Sequence, residues 1–270
     1  MIIKRETALV TGAGSGIGRE FAKLFYRDGS RVIAVSLVQP ELDSLAGELS
    51  GGPGELVTVQ KDLSTPNAAR EVFDMMESLG HGVGVLVNNA GYGIMGGHLE
   101  QDFDRVQRML MLNMVTLTGL TTLFAGRMRE RGGGRILNVG STTSFQPLPN
   151  LAAYAATKHY VVAFSAALAG EFAPYGISVT CLCPGTTDTA FLTGCGVERT
   201  ARRGSVGNIA YAVAMSPADV AKAGYRALRS GRRKVVPGFT NKLHYMVTRL
   251  LPDRLTGRVV SAFFHGRPVN

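Results

Sequence analysis

The sequence predicts one α/β domain on a doubly wound, mostly parallel sheet of seven strands, with helices on both faces and a helical tail behind it. Three observations predict it. Short β-type runs alternate six times with helical patterns between Thr7 and Cys183, the order that a parallel sheet with crossover helices requires. The run VGVLV at 83–87 is apolar almost throughout, as suits a strand covered on both faces. Polar or turn residues gather where the strands end, at Gly12, Asp62, Asn89, Ser141 and Pro184. Such sheets bind ligands at that edge.

The first unit is strand TALV at 7–10, turn TGAGSGIG at 11–18, then a helical pattern to about Asp28 with Phe21, Leu24 and Phe25 on its apolar side. Glycines let a backbone approach a phosphate closely, and a helix N-terminus offers free N–H groups and partial positive charge. The spacing is G-x-x-x-G-x-G. A glycine cluster alone is weak evidence, but between strand and helix it points to a dinucleotide. RVIAV at 31–35 is the second strand. In a dinucleotide fold its end faces the adenosine ribose, where an acid would bind the 2′-hydroxyl. Ser36, Leu37 and Val38 stand there, with neither a carboxylate to repel a 2′-phosphate nor an arginine to grip one. NADP is favoured on this ground, with NAD the alternative.

Helix 41–49 leads to strand ELVTVQ at 55–60, which ends in Lys61-Asp62-Leu63. Helix 67–79 carries Val72, Met75, Met76 and Leu79 on one stripe. The fourth strand runs into Asn88-Asn89-Ala90-Gly91, where side-chain amides can tie strands together and line a crevice. A simple turn would show the same residues. A long helix is expected over 99–128, with Asn113 on an otherwise apolar face. A satisfied structural amide is the commoner reading of such a residue. Strand GRILNV at 134–139 ends at Gly140-Ser141. After Pro147 and Pro149, Asn150 is a plausible N-cap for an alanine-rich helix over 151–169. Strand 177–183 closes at Pro184-Gly185.

That alanine-rich helix carries Tyr154 and Lys158. Four residues is just over one turn, so both side chains leave one face. A phenol with an ordinary pKa of about 10 beside a fixed positive charge is pushed toward neutrality. His159 faces another side of the helix, and His98 lies in the loop before the long helix.

Composition narrows the setting. The chain has 270 residues, 45% hydrophobic and 18% charged, which reads as folded. No apolar run approaching the roughly 18 to 20 residues of a bilayer span is expected, and the first six residues show no charged-then-apolar signal pattern. Cys181, Cys183 and Cys195 make no disulfide framework, so a reducing, cytoplasmic setting is expected. Cys181 and Cys183 share one face of a strand as packing, and no metal site is expected. Net charge is +9, and its distribution is uneven. From Arg226 onward ten Lys or Arg face one acid, Asp253, while 19 basic and 19 acidic residues cancel before it. No nucleic-acid recognition motif accompanies this charge, so no nucleic-acid partner is expected.

Five ordered motifs together resemble the short-chain dehydrogenase/reductase family over about residues 7–236. They are TGAGSGIG at 11, NNAG at 88, Asn113, Ser141 with Tyr154-x-x-x-Lys158, and Pro184-Gly185. The resemblance implies a Rossmann-type fold and an NAD(P)-dependent oxidoreductase. It implies that Gly12, Ser15, Gly16, Ile17 and Gly18 line pyrophosphate and ribose, with Ser36 at the adenosine ribose. Asp62 and Leu63 would meet the adenine, and Asn89 the cofactor's ribose region. Tyr154 and Lys158 would touch the nicotinamide ribose, with Pro184, Gly185 and Thr187 by the carboxamide. The departure from the family pattern is Ser36-Leu37, which carries neither the acid of NAD-preferring members nor the arginine common in NADP-preferring ones.

The implied reaction moves a hydride between the nicotinamide and a substrate carbon that changes between alcohol and ketone. Tyr154 would be the acid/base, Lys158 its support, Ser141 the hydrogen-bonding partner of the substrate oxygen, and Asn113 the holder of a water in a proton relay. A non-catalytic NAD(P)-binding regulator on the same fold is the alternative. A sensor would have no need of Ser141, Tyr154 and Lys158 together.

A substrate-covering segment is expected at about 186–216. Phe191, Leu192, Val197, Ile209, Tyr211 and Met215 suggest a hydrophobic ketone or secondary alcohol. Arg199, Arg202 and Arg203 read first as solvated charge and second as a contact for an acidic group. Ser216-Pro217 opens a helix to about Ser230, and 234–237 is a seventh, edge strand. The division is a domain at 1–238 and a basic amphipathic tail at 239–270. The tail carries Leu243, Met246, Val247, Leu250 and Leu251, then Leu255, Val259, Val260, Phe263 and Phe264, with Lys242, Arg249, Arg254 and Arg258 on other faces. Packing as a lid or subunit contact is weighted above peripheral contact with a membrane. The resemblance also implies a homodimer or homotetramer through the long helix and the Tyr154 helix.

Overall fold

Seven strands form a single parallel sheet: β1 Thr7–Thr11, β2 Arg31–Ser36, β3 Glu55–Gln60, β4 Val85–Asn88, β5 Gly134–Val139, β6 Ile177–Leu182 and β7 Lys234–Val235. Their spatial order is β3-β2-β1-β4-β5-β6-β7, and every neighbouring pair is parallel. The computed structural model describes residues 6–189 and 214–251. Winding reverses between β1 and β4, so a crevice opens at their carboxyl ends.

Eight helices flank the sheet among the described residues: α1 Gly16–Arg27, α2 Gln39–Leu49, α3 Ala68–Ser78, α4 Phe103–Leu110, α5 Leu117–Glu130, α6 Ala152–Glu171, α7 Pro217–Arg229 and α8 Phe239–Leu250. Strand side chains alternate between two cores. Ala8, Val10, Val32 and Ala34 meet Phe21, Phe25, Leu42, Leu45, Val220 and Leu228 from α1, α2 and α7. Leu9, Ile33 and Val35 meet Val72, Phe73, Met76, Leu120, Phe124, Met128 and Leu168 from α3, α5 and α6. Both faces are covered, which is why β1 and β4 are buried along their whole length.

Several local expectations are corrected. Asn150 is not the N-cap of α6. It sits in the left-handed region at φ 65, and Leu151 occupies the cap position with no side-chain hydrogen bond. The stripe on α3 is rotated: Val72 and Met76 are buried with Ala68, Ala69 and Phe73, whereas Met75 and Leu79 are exposed. The expected helix over 99–128 begins at Phe103, capped by Asp102, whose side chain accepts from Arg105 N. A π-helical turn, Met111–Thr116, interrupts it. By length and composition alone, Phe103–Glu130 contains a segment apolar enough to cross a membrane, contrary to the expectation of no such run. Its apolarity has a packing cause, since Leu117, Leu120, Phe124, Ala125 and Met128 are buried in the domain. The edge strand β7 is two residues long. Of the expected substrate cover, residues 190–213 lie outside the described residues, as does the second tail pattern at 252–270.

Candidate active site

The glycine turn is built for close approach. Gly12 and Gly16 have φ of 65 and 53, a region that side chains strain to enter. A Cβ on Gly18 would collide with the Gly12 carbonyl and the Asn89 amide. At α1, Ser15 makes no side-chain cap and the first turn holds no acid. Its leading N–H groups and partial positive charge therefore face the crevice, as a pyrophosphate requires. This donor set fits a dinucleotide.

Amides and hydroxyls lock that crevice open across the winding reversal. Asn89 Nδ2 donates to Thr11 O at 2.9 Å and Gly12 O at 3.3 Å. Thr11 Oγ1 accepts from the N–H groups of Asn89 and Ala90, each at 3.0 Å. One strand deeper, Asn88 Nδ2 donates to Thr121 Oγ1 and Asn138 Oδ1, both at 2.9 Å, and Asn138 Nδ2 reaches Ser165 at 3.0 Å. This buried chain ties β4 to β5, α5 and α6, where an unpaired amide would be costly. At the end of β3, Asp62 Oδ1 accepts from Ser64 N at 2.8 Å and Ser64 Oγ at 2.7 Å. Thr116 Oγ1 donates to Leu63 O at 2.8 Å. Ser36 is buried, its hydroxyl 3.4 Å from Val38 N.

The dyad lies at the far side. Tyr154 and Lys158 are both buried on α6. Lys158 Nζ is 5.8 Å from the centre of the Tyr154 ring, and it donates to Val139 O at 2.8 Å. Tyr154 belongs to a small apolar cluster with Ile94, Val106 and Met109, so α4 limits where the ring can turn. Burial lowers the Lys158 pKa to about 8, opposed in part by Cys181 and Cys183 behind it. The two thiols, 3.6 Å apart, are buried on one strand face as expected.

Ser141, two residues past β5, is in extended conformation, its Oγ accepting from Thr143 N at 3.1 Å. A hydroxyl keeps its own proton to donate when it accepts in this way. Backbone bonds from Gly140 N to Leu182 O at 2.7 Å and from Thr142 N to Pro184 O at 2.8 Å set β5 and β6 ends side by side. Thr187 Oγ1 donates to Gly185 O at 3.2 Å, and Thr187 pairs with Met215 in a short parallel bridge.

Asn113 sits in the π-helical turn and is buried. Its Nδ2 donates to Tyr92 O at 3.0 Å and Thr157 Oγ1 at 3.1 Å, while Oδ1 accepts from Tyr92 N at 3.2 Å. Both amide protons are used and one acceptor lone pair of Oδ1 remains. A Cβ on Gly91 would lie 2.9 Å from Asn113 Oδ1 and 3.5 Å from Lys158 Nζ, so both side chains approach Gly91. Extra residues of this kind recur at functional sites in helices.

Three contributors escape the sequence reading. Thr157 joins Asn113 to the Tyr154 carbonyl, donating to it at 2.7 Å. The Val139 carbonyl anchors the lysine, and no residue type could announce it. Glu41, in the first turn of α2, packs its carboxylate over Gly14 beside the Ser36 hydroxyl. A search for an acid that extended five residues past Ser36 would have found it.

The switch point of a Rossmann-type sheet thus carries a glycine turn that fits a dinucleotide, together with a buried Tyr-Lys pair and a serine just past β5. The chain belongs to the short chain dehydrogenase family, whose pattern it matches over residues 6–197. It is 32% identical over 258 residues to the oxidoreductase EphD of Mycobacterium tuberculosis, an alignment that takes in 91% of this chain and 43% of that one. The chain thus spans less than half the length of that relative. Among solved structures it resembles a short-chain dehydrogenase from Sphingobium yanoikuyae in complex with NADPH, at TM-score 0.79 and 27% identity, covering 98% of this chain and 97% of that one. It also resembles the bulky-bulky ketone specific alcohol dehydrogenase from Comamonas testosteroni, at TM-score 0.75 and 26% identity, with coverage of 98% and 97%.

Proposed function

We propose that this enzyme interconverts a hydrophobic ketone and its secondary alcohol, with NADP favoured and Tyr154 as acid/base. The observation that carries the reading is that the helix of Tyr154 sends buried Lys158 to Val139 O, two residues before Ser141, at the carboxyl edge of a sheet whose glycine turn fits a dinucleotide. The cofactor, when bound, gives or takes a hydride at its nicotinamide ring. Tyr154 then donates its phenolic proton to the substrate oxygen in reduction and accepts one in oxidation. Ser141 donates a hydrogen bond to the same oxygen as charge develops there. The Lys158 ammonium favours the phenolate and holds the ribose. Asn113 offers its remaining lone pair to a water on the path toward Lys158. Gly12, Ser15, Gly16, Ile17 and Gly18 hold pyrophosphate and ribose, Ser36, Asp62 and Leu63 hold the adenosine half, and Asn89 meets the cofactor's ribose region. Pro184, Gly185 and Thr187 meet the carboxamide.

The substrate class rests on the apolar residues of 189–215 and on the likeness to a ketone-specific dehydrogenase. The working unit is a cytoplasmic homodimer or homotetramer. Exposed Phe103, Leu110 and Val115 along α4 and the π turn supply an apolar contact for it. The division into a catalytic domain at 1–238 and a tail is supported by β7 being the last strand among the described residues.

Consumption of NADPH and NADH with a panel of ketones tests the reading. Turnover of bulky apolar ketones supports it. Tight cofactor binding with no turnover on any of them would favour a cofactor-binding regulator instead.

Glu41 removes the sequence ground for NADP, the lack of a carboxylate near Ser36; the preference rests instead on the likeness to a dehydrogenase solved with NADPH, and Glu41 makes it testable. Its carboxylate at Gly14 stands beside Ser36, where a 2′-phosphate would be placed, and like charges at that range cost about 1 kcal/mol in a solvated setting. Glu41→Gln is expected to raise the ratio of kcat/KM for NADPH over NADH by about fivefold. An unchanged ratio would remove Glu41 from the 2′ pocket.

A further inference from the structure

We propose that α8 is a docking helix for an anionic lipid surface. One face of α8 is committed to the domain. Tyr245 packs on Phe145 with ring centres 4.5 Å apart, and Lys234 Nζ sits 5.3 Å from the Tyr245 ring. His244 Nε2 meets Gln146 Oε1 at 3.0 Å, and Asn241 Nδ2 donates to Pro237 O at 2.9 Å. These contacts fix the helix on the turn that follows Ser141.

The opposite face is apolar and open. Phe239, Leu243, Met246, Val247 and Leu250 are 81%, 53%, 61%, 45% and 83% exposed. Their spacing of i, i+4, i+7, i+8 and i+11 makes one continuous stripe along the whole helix. A lid would bury such a stripe against the domain, but here the half-buried side of the helix is the one with Asn241, Tyr245 and Thr248.

Charge selects the occupant. The sequence from Arg226 onward carries ten basic residues and one acid, and the remainder is neutral. Lys242 is exposed on α8 itself. α8 itself holds two cations, Lys242 and Arg249, and no acid, so a second copy of the helix would meet like charge with like, which disfavours self-docking. An apolar stripe on a helix with an exposed lysine and no acid fits a surface with hydrocarbon below and negative charge at its rim, which is the bilayer interface. Docking there would hold the Ser141 turn near the interface, where apolar ketones concentrate. That consequence rests on the proposed activity, whereas the lipid contact does not.

Co-sedimentation of the full chain with vesicles tests it. Phosphatidylcholine vesicles containing phosphatidylglycerol should bind the protein and release it as salt rises, and pure phosphatidylcholine should bind it weakly. The double variant Met246→Ser, Leu250→Ser alters only exposed side chains, so its circular dichroism and melting should match the parent. Its partition to anionic vesicles should fall by at least about tenfold. Three results would overturn the proposal: no binding to anionic vesicles, a double variant that binds like the parent, or loss of oligomerisation in the variant without vesicle binding by the parent. The last would assign the stripe to a subunit contact. None of these readouts depends on turnover.

Discussion

Replacing Tyr154 with Phe is expected to lower turnover by about 10²- to 10⁴-fold, the usual contribution of a positioned general acid/base, while cofactor affinity stays within a factor of about two to three. Phe keeps the ring that packs with Ile94, Val106 and Met109, so the fold has no cavity to answer for. It also keeps the backbone carbonyl that accepts from Thr157, so the link to Asn113 survives. Only the hydroxyl goes. Steady-state rates for ketone reduction, with NADPH titrated by its own fluorescence, separate the two effects. A variant retaining more than about a tenth of the parent rate would take the proton transfer away from Tyr154, and Ser141 would become the group to examine.

The dependence on pH carries a second signature. In oxidation the parent needs the phenol deprotonated, so its rate should climb with pH. The residual rate of Tyr154→Phe should lack that rise. A variant profile parallel to the parent's would place the titrating group elsewhere.

Much of this site could be read from sequence because parallel sheets put chemistry in a fixed place. Strand endings at Thr11, Gln60, Asn88, Val139 and Leu182 fall within about a residue or two of the expected ones, and their following residues meet at one edge. Tyr154 and Lys158 were legible for the same kind of reason, since helical periodicity alone sets them on one face. What escaped depends on tertiary distance. Glu41 reaches Gly14 only because α2 packs beside the glycine turn. The Val139 carbonyl is a backbone atom and leaves no trace in residue types. The π turn at Met111–Thr116 inserts a residue without glycine or proline to mark it. Asn113 therefore looked like a helix-face amide, and its bridge between Tyr92 and Thr157 became visible only in three dimensions. Asn150 is not the cap because α6 begins at Ala152, which makes Leu151 the cap residue and leaves Asn150 one residue too early. Periodicity showed that α8 was amphipathic but could not show that its apolar side faces outward. For a helix at the edge of a fold, that depends on what its polar side can find to hold.

Replacing Lys158 with Met should abolish most activity and yet stabilise the protein at neutral pH. Lys158 is buried, and burial lowers its pKa from 10.5 to about 8. Below about 8 the native state must carry the ammonium in the interior, a cost present in full at pH 7. Between about 8 and 10.5 the unfolded chain still binds this proton and the native state does not, so stability contributed by this group rises with pH. The difference between the two pKa values corresponds to about 3 kcal/mol. Met fills similar volume without charge, but it leaves the Val139 carbonyl without the 2.8 Å hydrogen bond from Nζ, a loss of about 1 kcal/mol. A net gain of about 1–2 kcal/mol at pH 7 is therefore expected, shrinking toward pH 10 as the parent sheds its buried charge. Urea unfolding of both proteins across that range measures it directly. A variant less stable than the parent at pH 7 would mean that the ammonium is better solvated than its burial implies. A stability difference independent of pH would mean that Lys158 does not titrate in this window. If the gain appears together with lost turnover, the lysine is a group kept at the expense of stability for its charge at the site. That is a different role from the amide network of Asn88 and Asn138, whose hydrogen bonds hold the strands together whether or not a substrate is present.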